Sequence, residues 1–213
     1  MKTEELIKAL AADDDTPRAA LGPRLAAAIA VGFVLSAAIF ALVLGPRPDA
    51  ANALSQEPRF LLKFVVTLTL ALSAAGFAMR LLRPGAATGW WSVVLLLGPA
   101  LLFAGILYEL ATIAPAVWRS RLVGNNSMVC LAAVPMLAAP VLAALIYAMR
   151  DGAPMRPALA GAVGGLVAAG LGATLYAAHC ADDSPFFVAT WYGIGTAIVV
   201  AVGALLGSRF LRW

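Results

Sequence analysis

Long apolar runs broken by short polar clusters set the pattern of this chain. The runs lie at about 25–44, 60–79, 91–111, 128–149, 157–178 and 187–206. A helix needs about 20 predominantly apolar residues to cross the hydrocarbon core of a bilayer. Each run meets that length, so the pattern predicts an all-α, polytopic membrane protein with six transmembrane helices. Residues 25–213 form the transmembrane domain, and residues 1–24 form a polar head ahead of it.

The head, MKTEELIKALAADDDTPRAALGPR, has a different rhythm. Leu6, Ile7 and Leu10 share one face of a short amphipathic helix, with Glu4, Glu5 and Lys8 on its polar side. Asp13, Asp14 and Asp15, followed by Thr16-Pro17, end that helix or cap the next. Short amphipathic segments often lie flat on a membrane. The acidic residues here disfavour an anionic bilayer and suit docking into a groove on a basic protein. Glu4, Glu5, Leu6, Ile7 and Leu10 are the candidate contact residues. A secretory signal is the competing reading, since Ala51-Asn52-Ala53 resembles a small-residue cleavage site. Against it, the head is too long and acidic for a signal n-region, and the first apolar run is longer than an h-region.

Composition agrees with lipid as the main solvent. Hydrophobic residues make up 62% of the 213 and charged residues 12%, against about 25% charged in soluble domains. Six spans leave little room for a soluble catalytic domain. The net charge of +4 raises the question of nucleic acid, but the basic residues flank the apolar runs. They read as positive-inside anchors, with no direct nucleic-acid contact. With the N-terminus inside, Lys2, Lys8, Arg18, Arg24, Arg80, Arg83, Arg150, Arg156, Arg209 and Arg212 are cytoplasmic. Arg47, Arg59, Lys63, Arg119 and Arg121 fall on the outer side. Ten against five predicts that both termini are cytoplasmic. Trp90, Trp91, Trp118, Trp191 and Trp213 fall near span ends, where indole rings prefer to sit.

Small residues speak to packing. Gly161 and Gly165 form one GxxxG, and Gly203 and Gly207 another. Packing within one chain is the favoured reading, with a homodimer as the sharper alternative. Pro135 and Pro140 are expected to kink the fourth span.

The candidate chemistry gathers at one depth. Cys130 lies just inside the outer end of the fourth span, and His179 and Cys180 lie at the outer end of the fifth. Glu109 lies near the outer end of the third. An ionisable residue inside a span is costly and suggests function. Taken singly, each has a plainer role. A lone cysteine is usually a small hydrophobe, a lone histidine at a span end is usually solvated, and Glu109 can pair with Arg119 or Arg121. Together, thiols and imidazole suit a transient soft metal ion such as copper, zinc or cadmium. A Cys130–Cys180 disulfide is the rival in an oxidising compartment. Two cysteines and one histidine exclude a multi-cysteine zinc scaffold and imply no constitutive cofactor. Asp182 and Asp183 read as a solvated loop.

Several segments resemble the NrsF family of membrane-bound anti-sigma factors, the negative regulators of sigma-F-type extracytoplasmic-function (ECF) sigma factors. These are the opening MKTEELIKAL, the single Cys130 in the fourth span, RDGAPMRPALAGA at 150–162, LYAAHCADDSPFFVATWYG at 175–193, and the closing GSRFLRW. The resemblance covers essentially the whole chain, and the HC…DSP…WY block is its most specific part. It implies a regulator of the bacterial inner membrane that is not an enzyme. Such a protein holds an ECF sigma factor through a cytoplasmic segment and releases it under heavy-metal or oxidant stress. That release depends on two cysteines, which correspond here to Cys130 and Cys180. The rival classes are a thiol oxidoreductase coupled to quinone and a small metal transporter. The first commonly needs a Cys-x-x-Cys pair, which is missing here. The second needs a polar path through spans that hold few polar residues beyond Glu109.

Overall fold

The computed structural model describes residues 3–5, 7–8, 21–83, 85 and 89–212. It is all-helical, and among the described residues there is no strand. Six helices are long and apolar enough to cross a membrane: α1 (Leu21–Val43), α2 (Pro58–Leu81), α3 (Gly89–Thr112), α4 (Ser127–Met149), α5 (Pro157–Ala177) and α6 (Pro185–Phe210). The chain is a multi-pass membrane protein. Several helices begin earlier than the apolar runs, and prolines explain where. Pro58, Pro157 and Pro185 each open their helix, where the missing N–H is an orphan in any case.

Two spans are irregular. α3 breaks between Gly89–Val94 and Leu97–Thr112. Pro99 has no N–H to give the Leu95 carbonyl and its ring crowds that oxygen, which breaks the ladder there. In α6 a π-turn covers Val188–Tyr192. By contrast, α4 runs as one helix through Pro135 and Pro140. Two short helices, Ala50–Gln56 and Trp118–Val123, sit in loops that the apolar pattern left blank.

α5 stands at the centre, flanked by α2, α4 and α6; α1 packs on α4, and α3 packs on α2. Its buried positions are mostly glycine and alanine, including Gly161, Gly165, Gly170 and Gly172. The two GxxxG motifs meet each other. A methyl added to Gly161 would overlap the Gly203 carbonyl oxygen, and one on Gly165 would come within 2.8 Å of the Val199 carbonyl oxygen. Close backbone approach of this kind is how helices associate in lipid, where no hydrophobic force drives them together. Both motifs are therefore occupied within one chain, and neither presents a free face for pairing two chains. α1 and α3 turn large side chains such as Val34, Leu42 and Phe103 outward, as lipid contact requires.

Six spans bring both ends of the bundle's chain to one side. Arg24 near the start of α1 pairs there with Asp151 of the α4–α5 turn at 2.5 Å. In the head, residues 3–5 and 7–8 are helical and exposed, with Ile7 at 60%. Leu6 and Leu10 lie outside the described residues.

Candidate functional site

The opposite end of the bundle is built around the loop that follows α5. α5 ends at Ala177, and residues 178–184 cross to Pro185, where α6 begins. Cys130, one turn into α4, and Cys180, in the loop, are both fully buried and both free. They belong to one cluster with Val134, Tyr176, Phe187 and Tyr192. The rings of Tyr176 and Tyr192 lie 5.5 Å apart. The π-turn supplies Tyr192, whose buried hydroxyl has no hydrogen-bond partner in this cluster.

Polar groups from four other segments pin the loop over the thiols. Lys63 of α2 is 1% exposed. Its Nζ donates to the Cys180 carbonyl at 2.8 Å and meets Asp183 Oδ1 at 2.5 Å. Arg47 of the α1–α2 loop reaches Asp183 Oδ2 at 2.8 Å, and its backbone N–H donates to the Ala178 carbonyl at 2.9 Å. Phe60 lies against both cations, 5.0 Å from Arg47 and 5.1 Å from Lys63. A buried lysine must be paired and hydrogen-bonded to stay charged, and Lys63 meets both conditions.

Asp182 serves a different element. It accepts from the backbone N–H groups of Asn125 and Asn126 and from the Asn126 side chain, at 3.1, 2.9 and 3.0 Å. These lie just ahead of α4, where a carboxylate also suits the positive end of the helix dipole. Ser184 caps α6 by accepting from the Phe186 N–H, and it donates to Glu109 Oε2 at 2.7 Å. Glu109 Oε1 has no hydrogen bond, and Arg59 stands 3.8 Å away.

Two expectations change. Asp182 and Asp183 are ties between elements, not a solvated pair. Glu109 engages Arg59 and Ser184, with neither Arg119 nor Arg121 as its partner. Lys63, counted above only as an outer-side charge, lies buried inside α2 and under the loop. The rule that an ionisable residue within a span marks function picks it out of FLLKFVV.

His179 is half-buried beside Tyr176 and donates from Nδ1 to the Gly45 carbonyl at 2.9 Å, which in the neutral ring leaves Nε2 as the acceptor. Burial pushes the Cys180 thiol above its ordinary range, opposed by the Lys63 charge and by hydrogen bonds at Asp182 and Tyr176. Among the described residues, no three side chains of His, Cys, Asp or Glu gather closely enough to hold a metal ion.

A family model described as "Negative regulator of sigma F" matches residues 10–213. The chain belongs to the NrsF family. Over 216 residues it is 36% identical to the probable anti-sigma-F factor NrsF of Azospira oryzae, and over 219 residues 35% identical to the anti-sigma-F factor NrsF of Caulobacter vibrioides. Both alignments cover 100% of this chain and 100% of the relative. No solved structure matches significantly. The NrsF match takes in all six spans and every residue of the thiol cluster and its ties, and begins within the head.

Proposed function

We propose that this protein is an inner-membrane anti-sigma factor. It holds an ECF sigma factor at the cytoplasmic face and releases it when Cys130 and Cys180 react with an oxidant or a soft metal ion. It acts as a regulator and not as an enzyme. One observation carries the reading. Two cysteines fifty residues apart share a single buried cluster, under a loop tied to α2, α3, the α1–α2 loop and the start of α4. The names of the relatives support the sigma-factor partner. The basic excess at the end holding the termini supports the reading of cytoplasmic termini with the thiols on the outer side.

The donor set suits some signals better than others. Two thiols fit a two-coordinate soft ion such as Cu(I), and His179, held on the Gly45 carbonyl, is not gathered with them as a third ligand. Zinc in a structural site takes four ligands, and Glu109 is already held by Ser184. Oxidation needs no further ligand. Two thiols give up two electrons and two protons to a peroxide or to a disulfide carrier and form one S–S bond. Either event changes the spacing of Cys130 and Cys180. The loop carrying Cys180 is continuous with α5, and α5 touches α2, α4 and α6. Movement at the loop is thereby passed to the turn at 150–156, where α5 begins. A ligand moves such an equilibrium only by its differential affinity, and tenfold corresponds to about 1.4 kcal/mol.

At the other end, Glu4, Glu5 and Ile7, with Leu6 and Leu10, supply the sigma-binding surface in this reading. Two reporter measurements test it. Sigma-dependent transcription in cells carrying Cys130→Ser and Cys180→Ser should stay repressed after metal or peroxide challenge. Release as in the parent protein would sink the sensing role. Deletion of residues 2–15 should derepress transcription without challenge, and full repression would exclude the head as the contact.

A further inference from the structure

At the end of the bundle that holds the termini, a groove of about 480 Å³ opens between α2 and α5. Its rim carries Arg80, Arg83 and Arg156, all exposed, and its wall is formed by Phe77, Leu81 and Leu159. Among the described residues, none of these three arginines takes part in an ion pair. Asp151 of the α4–α5 turn is taken by Arg24. We propose that this groove is a binding site for an acidic phospholipid of the inner leaflet.

Charge and depth argue together. Guanidinium groups bind phosphate in a planar, two-point manner, and basic pockets between spans are where anionic headgroups settle. The apolar wall belongs to the spanning helices themselves, at a depth that acyl chains fill. The site also has a bearing on the thiol end. α2 carries Lys63, and α5 leads into the loop that carries Cys180, so a lipid here bridges two helices that reach the thiol end. The inference rests on the membrane-spanning fold and on the orientation proposed above, and not on the sigma-factor reading.

Native mass spectrometry of the full chain, with phosphatidylglycerol or phosphatidylcholine added in equal amounts, tests it. Each basic residue contributes about five-fold, so a preference for phosphatidylglycerol on the order of a hundred-fold is expected. Arg80→Gln/Arg83→Gln/Arg156→Gln should abolish that preference, whereas Arg121→Gln at the far end should keep it. If the triple variant does not fold, Arg83→Gln alone carries the test, with a loss of about five-fold expected. Equal binding of the two lipids, or an unchanged preference in the variants, overturns the proposal. So does displacement of the lipid by glycerol phosphate at equal concentration, since chains would then add nothing. If the variants lose sigma-factor capture while keeping the lipid preference, the rim is a protein-docking surface and the proposal falls.

Discussion

Lys63 is the side chain on which the thiol end depends most. It is enclosed, it neutralises Asp183, and it holds the carbonyl of Cys180. Removing one partner of a buried pair leaves a charge without compensation, at a cost of about 3–5 kcal/mol. Asp183 retains Arg47 in that event, so Lys63→Met should cost about 3 kcal/mol, at the low end of that range. Thermal unfolding in detergent measures this, and Lys63→Met/Asp183→Asn should recover part of the loss. No change in the melting temperature for Lys63→Met would mean that the loop is held by packing alone. The same lysine bears on reactivity. Burial raises the Cys180 thiol above its ordinary 9.0, and Lys63 opposes that rise. Only the thiolate reacts, so alkylation of Cys180 in a Cys130→Ser background should keep accelerating as pH passes 9. A rate that levels off below pH 9 would contradict the raised value.

Between helices, backbone contact does the work that hydrophobic force does in water. α5 and α6 touch through glycines, and what a side chain would meet there is backbone, which cannot swing aside. Gly161→Val should therefore cost about 3 kcal/mol or prevent folding. Gly193→Ala is the contrast. It lies in a helix with nothing within 4 Å of the added carbon, and should be neutral or stabilising by about 0.5 kcal/mol. Comparable melting temperatures for the two variants would refute the packing argument. The glycine pairs and six spans were legible in the sequence, because GxxxG and a 20-residue apolar run each have one physical use in lipid. The convergence of Cys130 and Cys180 at one depth was legible too, from span boundaries alone. The ties were not. Asp182 holding the backbone ahead of α4 and Ser184 holding Glu109 join residues 56 and 75 positions apart, and no periodicity encodes such pairs. The π-turn that delivers Tyr192 leaves no trace in an apolar stretch.

For the molecule as a whole, the question is which end faces which compartment. The thiol end carries acid and base in balance, with Arg47 and Lys63 on Asp183 and Arg59 beside Glu109. At the other end, Arg80, Arg83 and Arg156 belong to the larger group of Lys and Arg residues, and it is the Lys and Arg count beside the spans that sets orientation. A single cysteine installed at each end decides the orientation, in a background of Cys130→Ser and Cys180→Ser. Gln56 and Met155 are both exposed and lie at opposite ends. In intact spheroplasts, a membrane-impermeant maleimide should label Gln56→Cys and spare Met155→Cys until the membrane is opened. The reverse pattern would place Cys130 and Cys180 beside the reducing cytosol. A disulfide there would be short-lived, the head would face away from any sigma factor, and the proposed direction of signalling would fail at both ends at once.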